Sequence, residues 1–232
     1  YSPRFVENKF RNCLNIESKK TLNSKKIRLE RGKVISKIFS LSYDEPIAME
    51  RSAFQYMFDY EGNSYLDAYN NVPHVGHCHP GVIEAASKQM KKLNTNTRYL
   101  YDIINRYGRK LLKKFNKSLN RVYFVNSGSE ASDLAIKLAL AYSKNNNIMV
   151  LENGYHGHTQ RGTDISAYKF NHVRGQGKKD YVTVVPMPKK KDYENDNSLI
   201  NHTIKKVENI AAFICEPILG CGGQVPLTKN YL

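Results

Sequence analysis

The sequence predicts an α/β fold built on a mostly parallel sheet with helices on both faces, and three observations predict it. First, short apolar runs at 121–125, 147–151, 181–185 and 210–215 alternate with helical patterns, most clearly at 129–144. Strand and helix alternating this way read as parallel pairing with helical crossovers. Second, the runs at 121–125, 147–151 and 210–215 each lead into a polar, glycine-bearing loop. In open α/β sheets such loops, at the carboxyl ends of the strands, line the ligand crevice. Third, the chain has 232 residues, 41% of them hydrophobic, which is enough to bury one core.

The elements follow in order. Residues 1–40 are basic and polar with a weak helical pattern, and 1–45 reads as a linker or N-terminal segment. Short strands are expected at 54–59 and 64–67, around the turn Glu61-Gly62-Asn63. A helix is expected over 81–93, with Val82, Ala85, Ala86, Met90 and Leu93 on one side. A second helix covers 101–115, carrying Ile103, Ile104, Tyr107, Leu111 and Leu112. The segment 189–197 reads as a charged loop.

The densest signal is Arg121-Val-Tyr-Phe-Val-Asn-Ser-Gly-Ser-Glu-Ala, a strand running into a helix start. Helix N-termini carry unpaired N–H donors and a partial positive charge, so phosphate is a natural guest. Gly128 permits close approach of the backbone, and Ser127 and Ser129 add hydroxyls. The same pattern is equally that of an ordinary helix start capped by Ser129. Two further loops accompany it: Glu152-Asn-Gly-Tyr-His-Gly-His-Thr, and the stretch 211–224 with Glu216, Pro217 and a run of glycines.

Asn-Ser-Gly-Ser-Glu-Ala (126–131), Tyr-His-Gly (155–157), Glu-Pro-x-x-Gly-x-Gly-Gly (216–223) and Val75-Gly-His-Cys-His-Pro80 together resemble class III aminotransferases. Asn70-Asn-Val-Pro-His-Val-Gly-His-Cys-His-Pro80 and Leu93-Asn-Thr-Asn-Thr-Arg-Tyr99 are similar to a narrower branch. That branch holds ethanolamine-phosphate and hydroxylysine-phosphate phospholyases, and the aminotransferase part of bacterial fusions with a kinase-like domain upstream. The similarity runs from about Leu41 to Leu232.

The resemblance implies an aspartate-aminotransferase-like fold (fold type I) and pyridoxal 5'-phosphate as cofactor. It divides the chain into small-domain strands and an entry loop at 46–80 and a large cofactor-binding domain at 81–232, incomplete at its C-terminal end. It implies that Gly128 and Ser129, with Ser127, hold the cofactor phosphate. Tyr155 then stacks on the pyridine ring, or is a core aromatic among 16 tyrosines. His156 sits beside the cofactor. Glu216 lies toward the substrate end and pairs with a basic residue, or is a solvated strand-end carboxylate. Asn71 supports the substrate.

The same resemblance places the Schiff-base lysine and the acidic partner of the pyridinium nitrogen beyond Leu232, so the chain is expected to be a fragment inactive alone. It implies a homodimer, with 94–98 near the two-fold interface; otherwise 94–98 is a polar loop. The activity implied is transamination of an amine or amino acid. The alternatives are phosphate elimination from a phosphorylated amine such as phosphoethanolamine, and a non-catalytic remnant.

Composition bounds the other classes. The formal net charge is +15, but the lysines are scattered in pairs such as Lys91-Lys92 and Lys113-Lys114, and no nucleic-acid partner is expected. Mean hydropathy is −0.57 and no apolar run reaches the length of a membrane span. Cys13, Cys78, Cys215 and Cys221 form no Cys-x-x-Cys pair, which suits free thiols in the cytoplasm. His74, His77 and His79 could be drawn as metal ligands, but Pro73 and Pro80 bracket them as an irregular turn, and no metal is expected.

Overall fold

A computed structural model of the chain describes residues 2–6, 8, 23–70, 74–187, 198–228 and 231–232. It divides into two units, Tyr1–Tyr101 and Asp102–Leu232.

In the first unit, helix α1 (Ser24–Val34) starts where the Asn23 side chain accepts the Lys26 N–H at 3.0 Å. It buries no residue, in keeping with the weak pattern of the basic N-terminal stretch. Strands β1 (Met49–Ala53), β2 (Tyr56–Asp59) and β3 (Ser64–Leu66) form an antiparallel sheet in that order. The sequence reading missed β1 and began β2 two residues early. Phe54 has a φ of +49°, so the chain turns there instead of continuing a strand. Phe54 and His77 exchange two backbone hydrogen bonds of 2.8 Å. That close approach requires Gly76: its φ is +86°, and a Cβ there would stand 2.5 Å from Phe54 Cα.

Asp59 ties the β2–β3 turn. It is 2% exposed, and its carboxylate accepts the N–H groups of Glu61 (3.0 Å) and Asn63 (2.8 Å), the Asn63 amide (2.8 Å) and the Tyr65 hydroxyl (2.8 Å). Burial pushes this carboxyl up. The hydrogen bonds from Asn63, Tyr65 and Glu61 outweigh that and hold it below its ordinary 3.8. Asp67, two residues after Tyr65, accepts from Asn70 and Tyr69 and faces His77 Nε2 at 2.7 Å. The N–H of Asn70 first, then His77, hold it down to about 2. Pro80 then opens α2 (Pro80–Lys92) at its first turn, where a missing N–H costs nothing. Its expected apolar side is uncovered among the described residues, with Val82 56% and Met90 64% exposed.

The second unit holds the parallel sheet. Its central strand β4 (Asn147–Leu151) pairs with β5 (Val182–Val185) on one side and β6 (Ile210–Ile214) on the other. Successive side chains of a strand face opposite ways, and two core clusters record it. Ile148, Val150 and Val182 pack with Ile136, Ile165, Ala167 and Phe170. Met149, Leu151 and Val185 pack with Leu219. Ile136 belongs to α3's successor α4 (Gly128–Ser143); α3 itself spans Asp102–Leu112. Ile165 follows α5 (Gln160–Asp164), and Ala167 and Phe170 bound α6 (Ala167–Phe170). Each such fully buried aliphatic side chain contributes roughly 1.5–3 kcal/mol. Helix α7 (Ser198–Lys205) precedes β6, and a hairpin of β7 (Ile218–Leu219) and β8 (Val225–Pro226) brings Leu219 to the second face.

The strand expected at 121–125 is not formed. A strand needs a ladder partner, and no described strand pairs with it. The segment is irregular and lies against α3: Phe124 stacks on Tyr107 at 5.1 Å, and Val122 covers the buried Gly108. The charged loop expected at 189–197 and Cys13 lie outside the described residues.

Replacing Asp59 with alanine strands four donors, some of which water can reach. The expected cost is about 1–3 kcal/mol, read by chemical denaturation. Because the folded carboxyl is depressed, its contribution is present in full above 3.8 and drains away as pH falls through the folded value. The alanine variant should therefore lose the steepest part of the acid-unfolding curve; equal curves for both proteins would refute this role.

Candidate functional site

The site is assembled at the start of α4. Ser127, not Ser129, is the N-cap: its Oγ accepts the Glu130 N–H at 3.1 Å. The Glu130 carboxylate reaches back to the Asn126 N–H at 2.8 Å. Together these two bonds are a variant of the reciprocal capping box. They consume the donors of Asn126 and Glu130. The N–H groups of Gly128 and Ser129, in the first turn, have no intrahelical acceptor and point out of the helix end. Nothing stands within 4 Å of where a Gly128 Cβ would be.

Because Ser127 caps the helix, Ser129 is released for other contacts. Its Oγ accepts the His158 N–H at 3.0 Å, so its own proton remains available to an acceptor. Gly157 makes this junction possible. With φ at +121°, a Cβ on it would lie 2.7 Å from Ser129 Cα and 2.8 Å from Ser129 Oγ.

Glu216, at the end of β6, ties the second loop to the third. One carboxylate oxygen accepts the Tyr155 N–H at 2.8 Å and the other accepts the Gly220 N–H at 3.2 Å. Among the described residues it forms no ion pair, and both its oxygens accept backbone donors. Its charge and burial of the thiol both push Cys215 up, burial the more strongly. Tyr155 is half-buried and meets Tyr168 edge-on at 6.4 Å. His156 is 6% exposed. Its N–H donates to Ser166 Oγ at 2.8 Å, and Ser166 in turn donates to the Gly162 carbonyl at 2.6 Å. Burial holds the imidazole below 6.5 against the opposing pull of Glu216, so the ring is neutral at pH 7. Its Nε2 is buried without a hydrogen-bond partner, 3.0 Å from the place of a Gly154 Cβ.

Ser127, Gly128, Ser129, Tyr155, His156 and Glu216 are thus brought together. Asn71 lies outside the described residues. The sequence reading gave no role to Gly157, His158 or Ser166. Gly157 was inside a quoted motif, and a glycine next to two histidines was the available signal; His158 acts through its backbone N–H, and the Ser166 hydroxyl meets a donor ten residues away that no local pattern announces. In the histidine turn, His77 faces Asp67, and His79 meets Phe54 edge-on at 5.8 Å. No cluster of three or more possible ligands occurs among the described residues. Cys78, Cys215 and Cys221 are free.

Residues 39–232 match the model of the aminotransferase class-III family, and the chain belongs to it. It is 38% identical over 236 residues to an alanine–glyoxylate aminotransferase 2-like protein of Drosophila melanogaster, covering 94% of this chain and 48% of that one. It is 35% identical over 237 residues to an ethanolamine-phosphate phospho-lyase homolog of Caenorhabditis elegans, covering 91% and 50%. In structure it resembles a phospholyase from Arthrobacter in complex with phosphoethanolamine, with a TM-score of 0.78, 28% identity, and 88% and 51% covered. The chain spans about half the length of these relatives. Their likeness places the parallel sheet in fold type I, and pyridoxal phosphate is the cofactor of this family.

Gly157→Ala must push the Ser129 backbone away or abandon a φ of +121°. We expect the Ser129–His158 bond to break and affinity for pyridoxal phosphate to fall at least about tenfold, measured by dialysis against the cofactor. Unchanged affinity would mean that the junction does not shape the site.

Proposed function

We propose that the protein carrying this sequence is a pyridoxal-phosphate-dependent aminotransferase acting on an amine or amino acid. The observation that supports this most is the tying of two strand-end loops to one helix start. Ser129 Oγ holds the His158 N–H at 3.0 Å, and Glu216 holds the Tyr155 N–H at 2.8 Å. The donor set suits a phosphate: the N–H groups of Gly128 and Ser129, the free Ser129 proton, and the positive end of α4.

In this reading those groups hold the cofactor phosphate, and Ser127 keeps them in place as the cap. The half-buried face of Tyr155 supports the pyridine ring. The neutral His156, with an unpartnered Nε2, offers a hydrogen-bonding edge without adding charge. Glu216 fixes where the Tyr155 backbone stands. Asn71 is assigned to substrate support by resemblance alone. The cofactor supplies an electron sink for the carbon bearing the substrate amine. The covalent lysine and the acidic partner of the ring nitrogen are assigned to none of these 232 residues.

A second reading, phosphate elimination from a phosphorylated amine, is favoured by the phosphoethanolamine held by the Arthrobacter relative. The free thiols of Cys78, Cys215 and Cys221 suit a reducing compartment such as the cytoplasm. No helix among the described residues is long and apolar enough to cross a membrane. We also propose a homodimer in which each copy covers exposed apolar groups such as Met90 (64%), Tyr99 (67%) and Leu100 (103%) on the first unit.

The full-length protein should acquire a visible absorption band with pyridoxal phosphate, and Ser129→Ala should weaken uptake about tenfold. Given phosphoethanolamine, release of phosphate and ammonia marks elimination; transfer of the amino group to a keto acid marks transamination. Absence of the band and of both reactions would leave the non-catalytic remnant. Sedimentation of the same preparation should give twice the chain mass; a monomer at micromolar concentration would remove the dimer.

A further inference from the structure

Beside the site lies a second feature that the proposed roles do not use. Helix α6 and the loop 171–177 enclose a pocket of about 360 Å³, lined among others by Lys169, His172, Arg174, Gln160, Gln176 and Tyr168. That volume suits a small ligand.

We infer that this pocket binds the anionic end of a small ligand, a phosphate monoester or a carboxylate. Its charge balance carries the argument. The pocket's carboxylate, Asp164, is already engaged at both oxygens. Oδ1 accepts the Gln160 amide at 2.9 Å and Oδ2 accepts the Tyr181 hydroxyl at 3.1 Å. Lys169 and Arg174 form no ion pair among the described residues. Asp164 keeps its charge, so the wall carries two unpaired cations against one carboxylate; that positive excess attracts an oxyanion, and Arg and Lys donate the shortest and strongest hydrogen bonds to one.

The wall is built rather than incidental. Lys169 Nζ stands 5.5 Å from the centre of the Tyr155 ring and 5.7 Å from that of Tyr168. The two rings orient the ammonium while leaving it without an anionic partner. The loop carrying Arg174 is folded back on α6. Gly175 N–H donates to the His172 carbonyl at 2.6 Å, and Gly177 N–H to the Phe170 carbonyl at 3.3 Å. A Cβ on Gly175 would lie 2.4 Å from the Phe170 oxygen, so only glycine lets the loop close this tightly.

Lys169 links this pocket to Tyr155, the ring assigned above to the cofactor. Resting on that assignment, the pocket receives the acidic end of the substrate whose amine meets the cofactor. It makes Lys169 and Arg174 the residues that select acidic amines over plain ones.

The test uses the full-length protein saturated with pyridoxal phosphate, so that the α4 donors are already occupied. Inorganic phosphate and, separately, acetate are titrated in, and binding is read from phosphorus and carbon NMR line widths. Lys169→Met keeps the apolar stem against the two rings and removes the charge; Arg174→Ala is on an exposed loop. Together they should weaken binding of the preferred anion at least about tenfold, with cofactor affinity changed less than twofold. Tighter phosphate binding identifies a phosphorylated amine as the substrate class; tighter acetate binding identifies an amino acid. Binding of neither anion, or equal binding by wild type and the double variant, overturns the inference. A protein that takes up no cofactor defeats the functional reading separately, since the wild-type-to-variant difference is still read without it.

Discussion

The Glu216 carboxylate is the constraint on which the site depends. Its two oxygens hold backbone N–H groups from two different loops, Tyr155 and Gly220. A carboxylate accepting from backbone donors is held more firmly than one facing a mobile lysine, because neither donor has a side chain to rotate away. Fixing Tyr155 N fixes the start of the 155–158 turn. Gly157 then meets the start of α4, and His158 meets Ser129. Three loops thus share one chain of contacts, running from the end of β6 through the loop after β4 to the first turn of α4.

The capping geometry shows why that first turn is free to receive an anion. Had Ser129 been the cap, its oxygen would have been spent on its own helix, and the free donors would have moved two residues along. With Ser127 as cap and Glu130 closing back to Asn126, the helix satisfies its flanking donors internally. Gly128 and Ser129 are left outward. The same five residues therefore perform a structural task and leave a binding surface, which is why a capping reading and a phosphate reading were both compatible with the sequence.

Much of this was legible in the chain itself. Ile148-Met-Val-Leu151 read as a strand, and it is the centre of the parallel sheet, buried on both faces. Asn126 to Ala131, Tyr155 to Gly157 and Glu216 to Gly223 carried the site because glycine and small polar residues clustered at a helix start and after two such strands. What was hidden depended on partners far along the chain. Residues 122–125 are β-branched and aromatic as a strand should be, yet a strand is a property of a pair, and none of the described strands pairs with them. Phe54 looked like a strand residue, but the approach of Gly76 turns the backbone there. The bond from the Tyr155 N–H to Glu216 spans 61 residues, and no local pattern announces a backbone donor.

The placement of Lys169 adds a last step. An ammonium over two tyrosine rings is attracted to their faces, but the rings cannot neutralise it. A protein that needed the cation only for packing could pair it with Asp164, which lines the same pocket. Instead Asp164 is tied to Gln160 and Tyr181. Neutral donors engage the carboxylate without neutralising it, so the pocket holds two cations against one anion, with the lysine unpaired next to the ring of Tyr155. Charge left unpaired in this way is the physical condition for discriminating acidic ligands from neutral ones, since a neutral amine gains nothing from it. The arrangement thus couples the loop that Glu216 positions to a surface that can distinguish what approaches it.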